Sequence, residues 1–240
     1  MNDDSISLAN ERFAPITSRI GYLNLTLHDA NDLLLEWGRW LYKDARALEL
    51  SGGLVENVNR LEPLTWGNTP RELLVQTRNP EWTAYFDCLH GGTDPVGPIA
   101  YLTKQAEVMG VWISARPMIP PEGGRPWGSR QFYVHGPGGT DARNTVRGID
   151  LVQDGARWHF GLMGAPLPFE DLDAYTRRRV LERFTGSMLE SYARAMGLDA
   201  FDLDFYSGPS MLVTSAAPIQ PDDGISLADR RRELGYIDVA

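Results

Sequence analysis

The dipeptide Asp154-Gly155 stands between two segments that have the length and composition of β-strands, NTVRGIDLVQ (144–153) and ARWHFGL (156–162). Asp-Gly favours the tight turns that join neighbouring antiparallel strands, because both residues tolerate the positive φ that these turns require. A third segment of the same kind, RQFYVHG (130–136), precedes them. We therefore predict three consecutive strands, of which the last two form a hairpin within an antiparallel sheet.

The remaining helices and strands are predicted from hydrophobic spacing, turn residues and helix caps. The other predicted strands are residues 20–27, 71–77, 82–87 and 111–118, and the Asn-Pro turn after residue 77 indicates a second hairpin. The predicted helices are residues 28–50 (capped by Asp29 or Asn31), 54–61, 95–110 (capped by Thr93 or Asp94), 169–184, 186–197 (capped by Thr185) and a short segment that begins at Ser226.

The order of these elements predicts the α+β class: helices come first, then a largely hairpin-linked block of strands, then helices again. We expect one domain over residues 19–214, with a mostly antiparallel sheet of about five to seven strands and helices packed on one face. Residues 1–18 are predicted to be a flexible lead-in. Residues 215–240 are predicted to be a peripheral tail that contains the last short helix.

Charge and composition narrow the class of protein further. The net charge is −9, which argues against binding to nucleic acid, because attraction to phosphates requires a basic surface. No segment approaches the roughly 18 consecutive apolar residues of a membrane span. The first residues, MNDDSISLANERF, have neither the basic start nor the apolar stretch of a secretory signal, and a single cysteine fits a reducing compartment. We therefore expect a cytoplasmic protein that binds neither nucleic acid nor membrane.

The stretch WTAYFDCLHGGTDP (82–95) concentrates the reactive side-chain types. Cys88 is the only cysteine, His90 follows two positions later, and Asp87 and Asp94 flank the pair. Cys88 and His90 could act as nucleophile and base, or Asp87 and Asp94 as an acid–base pair. The structural alternative is a strand, WTAYFD, followed by a turn and a helix cap, GGTDP. No cysteine-hydrolase signature surrounds Cys88, so the structural interpretation is favoured.

No metal-binding or phosphate-binding motif is present. The spacing of Cys88, His90, His135 and His159 does not match a zinc site, so we expect neither a metal nor a cofactor. The glycine-rich segments EGGRPWGS and HGPGGTD do not match phosphate-binding loops and are predicted to connect strands. They carry residues of the kind that make contacts with partners or ligands, namely Arg125, Trp127 and His135.

Acidic residues cluster in two places. The first group, around Glu170, begins a predicted helix, where carboxylates stabilise exposed amides. The second group consists of Asp199, Asp202 and Asp204, which are interspersed with apolar residues in LDAFDLDFYSGP. If this segment is extended, one face is acidic and the other apolar. An acidic face of this kind is a candidate docking surface for a basic partner.

Five segments carry a resemblance to other proteins: WTAYF…GTDP (82–86 and 92–95), ARWHF (156–160), PLPFED (166–171), RRVLERFT (178–185) and FDLDFY (201–206). Together they resemble a family of uncharacterised bacterial proteins, from about residue 60 to about residue 213. The resemblance implies no particular reaction and assigns no catalytic residue. In general character, as a small acidic chain without a catalytic signature, the protein is also similar to the immunity proteins of bacterial toxin systems.

The function predicted from these observations is that of a non-enzymatic interaction module. Its specific form would be an immunity protein that neutralises a bacterial toxin by occlusion, with Asp199, Asp202 and Asp204 facing a basic toxin and Trp127 as an anchor. The alternative is a small-molecule enzyme or ligand-binding domain with a pocket near residues 87–94, which would use Cys88 and His90 or the two aspartates. A structural subunit of a larger assembly is a third alternative.

Overall fold

One antiparallel sheet organises the residues that the computed structural model describes, which are 8–119, 127–155, 157–219 and 224–236. Its strands, in chain order, are β1 Arg19–Leu23, β2 Ala45–Leu50, β3 Arg71–Gln76, β4 Thr83–Asp87, β5 Gly110–Ile119, β6 Trp127–His135, β7 Thr145–Asp154, β8 Arg157–Gly164 and β9 Ser210–Ser215. The helices are α1 Leu27–Tyr42, α2 Leu54–Asn57, α3 Val96–Ala106, α4 Gly186–Ala195 and α5 Leu227–Glu233. The spatial order of the strands is β2-β9-β3-β4-β1-β5-β6-β7-β8.

The sheet carries hydrophobic side chains on both faces. Leu73 and Val75 of β3 belong to the larger core cluster, which also contains residues of α2 and α4. Leu74, between them, belongs to a smaller cluster formed with α1 and α3. Because consecutive residues of a strand point to opposite faces, helices cover both sides of the sheet. The α+β class and the antiparallel sheet are confirmed, whereas helices on one face and a sheet of five to seven strands are corrected to helices on both faces and nine strands.

Two of the nine strands were not predicted. Residues 45–50 were assigned to the end of a long helix, but α1 ends at Tyr42, where Lys43 adopts a left-handed φ of 62°. The chain then turns into β2, which pairs along its whole length with β9. The helix also begins earlier than expected, because the Thr26 side chain accepts a hydrogen bond from the Asp29 amide and caps it. Pairing between segments about 165 residues apart leaves no local signal in either segment.

The helix predicted over residues 169–184 is absent. This segment contains only two short 3₁₀ turns, Ala174–Thr176 and Val180–Glu182. The physical reason lies at Glu170, whose buried carboxylate is held by Arg147 and by the amide of Leu167, so that the chain is tied to the sheet. Such tertiary bonds override a helical charge pattern.

Several local predictions are confirmed. β7 and β8 form the hairpin expected at Asp154-Gly155, and Gly155 has a φ of 62°. Thr185 caps α4 through the amide of Met188, and Ser226 caps α5. In α3 the N-cap position belongs to Pro95 instead of Thr93 or Asp94, and the helix ends at Ala106, so that Gly110 starts β5.

Both ends of the described chain pack against the sheet domain. Of the predicted lead-in, Leu8, Ala9 and Ile16 are buried in the larger core cluster. Of the predicted tail, Ile225 forms a β-bridge with Leu64, and Leu227 is buried in the same cluster. Residues 8–18 and 224–236 therefore contribute to the packed structure.

Candidate functional site

The hydrophobic cluster beneath α1 and α3 does not extend over strands β5–β8. The smaller cluster takes its described members from the other strands and from the two helices, and it includes no residue of β5–β8. Strand β6 shows why: Phe132 and Val134 enter the larger core, so Tyr133 and His135 point to the other face. A cleft of about 260 Å³ lies there, lined by Arg19, Val96, Trp112, Gln131, Tyr133, His135, Asp141, Arg143, Thr145 and Met163.

The floor of the cleft is an aromatic stack. The rings of Trp112 and Tyr133 lie parallel within 6°, with 4.3 Å between their centroids. Gly148 of β7 makes room for this arrangement, because a Cβ at that position would lie 2.6 Å from the Tyr133 ring. The Tyr133 hydroxyl donates a hydrogen bond to Asp150, which also accepts one from Gln131 at 2.8 Å. Three neighbouring strands thus fix the position of the stack.

His135 lies at the end of this stack and is only 1% exposed. Its Nε2 accepts a hydrogen bond from the Trp112 indole at 3.1 Å, and its Nδ1 donates one to the carbonyl of Arg143 at 2.9 Å. The ring is therefore neutral, with its proton on Nδ1. Burial lowers the pKa of His135. Because both ring nitrogens are engaged, His135 shapes the cleft and does not act as a base.

The loop before β7 forms one wall. Asp141 accepts hydrogen bonds from the amides of Thr145 at 2.7 Å and Arg143 at 3.1 Å. These bonds, led by the Thr145 amide, lower the pKa of Asp141. The carboxylate is therefore committed to holding the loop, while the Arg143 side chain is exposed and has no hydrogen-bond or ion-pair partner among the described residues.

Arg19 forms the opposite wall. Its Nη1 pairs with Asp94 at 3.1 Å, and its guanidinium carbon lies 5.9 Å from the centre of the Trp112 ring. The Arg19 Nε is buried, and no hydrogen-bond acceptor reaches it among the described residues. A buried donor without an acceptor costs free energy, so its place on the wall of a cleft is a functional signal.

Cys88 and His90, the candidate nucleophile and base in the 87–94 turn, are both buried in the protein interior. Cys88 is fully buried, its sulfur lies 3.3 Å from the Thr65 hydroxyl, and burial raises the pKa of the thiol. His90 is 4% exposed, and its ring packs against Trp66 with 3.6 Å between centroids. A reactive cysteine needs an accessible thiolate with a lowered pKa, which is the opposite of what Cys88 shows.

Asp87 and Asp94, the other pair considered in this turn, have different environments. Asp87 is fully buried and accepts hydrogen bonds from the amides of Leu89 and Asp94 at 2.9 and 2.8 Å. Burial raises its pKa to about 7. Asp94 is about half exposed and pairs with Arg19. Asp87 therefore fixes the turn that places Asp94 beside the cleft, and the two carboxylates do not share one accessible site.

Glu72 lies directly across the sheet from Asp87, on β3. It accepts a hydrogen bond from the Tyr85 hydroxyl at 2.7 Å, and burial raises its pKa to about 8. Like Asp87, it points to the face covered by α1 and α3 and is almost fully buried. These two carboxylates form a buried acidic pair on the adjacent strands β3 and β4.

The residues predicted to bind a partner fall in separate places. His135 lines the cleft. Arg125 lies outside the described residues, as does the side chain of Trp127, whose backbone begins β6. Arg78 reaches two of the three aspartates, Asp202 at 2.5 Å and Asp199 at 3.8 Å. Asp199 also pairs with Arg194 at 3.1 Å, whereas Asp204 is exposed.

The segment that holds these aspartates is a 3₁₀ turn, Leu203–Tyr206, capped by the Asp202 carboxylate through the Asp204 amide. It does not form the extended strand with one acidic face that alternation suggested. Asp199 and Asp202 already have cationic partners. An approaching basic protein would have to compete with arginines of this chain for them.

Of the ten residues that line the cleft, only His135 was predicted as a site residue. The missed residues that form its floor and walls include Arg19, Trp112, Tyr133 and Arg143. They come from β1, β5, β6 and the loop before β7. The one available signal was the alternation in RQFYVHG, which separates Tyr133 and His135 from the core-facing residues between and beside them. Nothing in the sequence indicated that Arg19 would meet the same surface.

Fold and site together define the class of this protein: an α+β domain with a polar, aromatic cleft on one face of an antiparallel sheet. Within the described ranges, no three metal-ligating side chains come together, and no helix has the length and apolarity needed to cross a membrane. Comparisons with protein-family models, with curated proteins and with solved structures found no match to this chain. The resemblance to a bacterial family and to immunity proteins therefore stays a prediction.

Proposed function

We propose that this chain is a non-enzymatic protein-interaction domain and that its contact surface is centred on the cleft. The observation that carries the proposal is the cleft itself, which combines arginine, aromatic and methionine side chains in a volume of about 260 Å³. Pockets that enclose small molecules usually measure roughly 300–1,000 Å³. Arg, Tyr, Trp and Met are the residue types enriched where proteins meet, so a cleft of this size and lining suits a side chain of a partner.

The state of the candidate catalytic groups supports a binding role. The Cys88 thiol is buried with a raised pKa, both nitrogens of His135 are engaged, and Asp141 is held by backbone amides. Catalysis requires a nucleophile or base that can reach a substrate proton or carbon. Each of these groups instead holds its own part of the fold in place.

The specific form of the proposal is an immunity protein that neutralises a toxin by covering it. This form is supported by the general character of the chain, which is small, acidic and without a catalytic signature. Because Asp199 and Asp202 already form ion pairs within the chain, we propose the cleft, instead of the acidic segment, as the contact surface. Arg143 and Met163 are exposed at the rim, where a partner would cover them first. The aspartates then act as surface ion pairs that contribute little to binding.

The test compares two apolar side chains of matched exposure. Met163 lines the cleft and is 47% exposed, and Leu172, in the irregular segment before α4, is 49% exposed. We expect the wild type and Leu172→Asp to retain one stoichiometric partner from the source organism, and Met163→Asp to bind that partner at least about tenfold more weakly. If the partner is a toxin, only the first two should protect cells that produce it. Equal affinity of all three proteins for the partner would contradict the proposal.

The alternative function, a small-molecule site near residues 87–94, has one observation in its favour. The ion pair of Asp94 with Arg19 brings this turn to the edge of the cleft. Cys88→Ala distinguishes the two functions, because a cysteine-dependent activity would be abolished, whereas partner binding at the cleft should be unchanged. Catalytic turnover that is lost in Cys88→Ala would favour the enzyme.

A further inference from the structure

Two hydrogen-bond donor groups at the cleft have no acceptor among the described residues. The Arg19 Nε is buried without an acceptor, and the Arg143 guanidinium has no partner within the described part of the chain. The carboxylates nearby are already used: Asp141 binds two amides, and Asp94 binds Arg19. An occupant that accepts hydrogen bonds would satisfy what the cleft leaves unsatisfied.

We propose that the group which enters the cleft is the carboxylate of an aspartate or glutamate side chain of the protein partner. This inference rests on the proposed function and specifies its chemistry. A carboxylate accepts charge-assisted hydrogen bonds from guanidinium groups in a planar, often bidentate geometry. Arg19 supplies the buried part of this interaction and Arg143 the exposed part, while the aromatic floor and Met163 contact the methylene groups of the side chain.

A second arginine, Arg116, interacts electrostatically with Arg19. Arg116 lies on the same face of β5 as Trp112. It donates a hydrogen bond to the carbonyl of Gly91 at 2.8 Å. Burial, and after it the positive charge of Arg19, lower the pKa of Arg116 to about 9.

Three carboxylates lie at the same cleft, and each already accepts hydrogen bonds: Asp94 from Arg19, Asp141 from two backbone amides, and Asp150 from Gln131 and Tyr133. The cleft therefore offers guanidinium donors to an occupant, whereas its own carboxylates are already engaged.

A protein side chain fits this site better than a free small carboxylate. The cleft is open on one side towards the exposed end of β8, where Met163 is 47% exposed. A flat contact surface can therefore approach while one side chain reaches the partly exposed guanidinium group of Arg19. This arrangement, with a central anchor in a pocket and exposed contacts around it, is typical of interface hot spots.

The experiment titrates the full chain with N-acetyl-glutamate N-methylamide and with the glutamine analogue, which has the same shape without the charge. Nuclear magnetic resonance follows the Arg19 Nε–H and the Trp112 indole N–H. We expect the acid to shift both resonances saturably, with an affinity at least about tenfold higher than that of the amide. Arg19→Gln and Arg143→Gln should each remove this preference, whereas Arg46→Gln, at an exposed arginine of the distant edge strand β2, should keep it.

The outcomes separate this inference from the proposed function. Equal binding of acid and amide, or an acid preference that survives both cleft variants, would overturn the carboxylate assignment and leave the interaction surface standing. If Arg19→Gln does not fold, Arg143→Gln, which changes an exposed side chain, still tests the carboxylate assignment. If the Met163→Asp comparison shows no effect on partner binding, the proposed function fails whatever the small probes do.

Discussion

The Trp112 indole nitrogen donates a hydrogen bond to Nε2 of His135 at 3.1 Å, across the neighbouring strands β5 and β6. Since an indole N–H can only donate, this contact requires an unprotonated Nε2, and the Nδ1 bond to the Arg143 carbonyl completes the neutral ring. One imidazole thus joins the floor of the cleft to the loop that carries Arg143. The shape of the cleft therefore depends on the protonation state of His135.

The first prediction concerns acid. Burial lowers the pKa of His135 in the folded chain, whereas in the unfolded chain it titrates near its ordinary value of about 6.5. Below that pH the unfolded state binds a proton that the folded state does not, so the free energy of unfolding falls as the pH falls, by at most about 1.4 kcal/mol per pH unit. Urea unfolding of the wild type and of His135→Gln between pH 7 and pH 5 should therefore show a smaller loss in the variant. His159→Gln, at an exposed position of β8, should behave like the wild type.

The second prediction concerns the buried carboxylate of Glu72 and has the opposite sign. Its pKa is raised to about 8 by burial, so between about pH 4 and pH 8 the folded state holds a proton that the unfolded state has released. The free energy of unfolding should then decrease as the pH rises through this range. Glu72→Gln removes this contribution and keeps an acceptor for the Tyr85 hydroxyl. Its advantage over the wild type should grow towards pH 8, by up to a few kcal/mol.

The control for this measurement is Glu36→Gln, at an exposed position of α1. Asp87 titrates in the same direction, with a pKa raised to about 7, so Glu72→Gln should flatten the pH profile only in part. If the free energy of unfolding of Glu72→Gln changed with pH in the same way as that of the wild type from pH 5 to pH 8, Glu72 would be ionised in the folded protein.

The elements that could be predicted from the sequence are those with local causes. Asp154-Gly155 forms the expected hairpin because the turn needs residues that accept positive φ, and Thr185 caps α4 because its hydroxyl reaches the Met188 amide three residues on. β2 and β9 could not be predicted, since β2 pairs with β9, and β9 with β2 and β3, so that their partners lie far away in the sequence. The failure at 169–184 has the same origin, because the partner of Glu170 is an arginine 23 residues away.

The third prediction concerns that pair. Arg147 and Glu170 form two parallel hydrogen bonds of 2.8 and 2.6 Å, and both side chains are almost fully buried. Arg147→Met leaves a buried carboxylate without its cation, and the expected cost is about 3–5 kcal/mol of unfolding free energy. Arg179→Met breaks the exposed pair with Glu182 and should cost no more than about 1 kcal/mol.

A double variant gives the sharper result for this pair. Arg147→Met combined with Glu170→Leu removes both charges, and denaturant unfolding should show that it recovers part of the loss, because no unpaired ion stays buried. Additive losses in the double variant would show that the two residues stabilise the segment independently.

The cleft was harder to predict than the fold, and the reason is geometric. Alternation in β6 separates the core-facing Phe132 and Val134 from Tyr133 and His135, so the residues on the cleft side of this strand can be recognised from the local sequence. The meeting of Tyr133 with Trp112 and Arg19 depends instead on the strand order β1-β5-β6. Cys88 and His90 were candidate catalytic residues because of their reactive side chains, but both side chains are buried in the folded protein.

The last prediction tests whether the aromatic floor forms the contact site. Gly148 and Gly161 lie on the adjacent strands β7 and β8, and an added Cβ meets different surroundings at each. At Gly148 it would lie 2.6 Å from the Tyr133 ring, whereas at Gly161 its nearest neighbour is Asp150 at 3.8 Å, an ordinary contact. Gly148→Ala should therefore displace Tyr133 from Trp112 and cost about 1–3 kcal/mol. Gly161→Ala should change stability by less than about 0.5 kcal/mol.

The near-ultraviolet circular dichroism of the stacked rings and the affinity for the partner should fall together in Gly148→Ala. Tyr133→Leu added to Gly148→Ala should restore stability but not binding. A Gly148→Ala variant that kept both the spectrum and the partner would remove the stack from the contact surface.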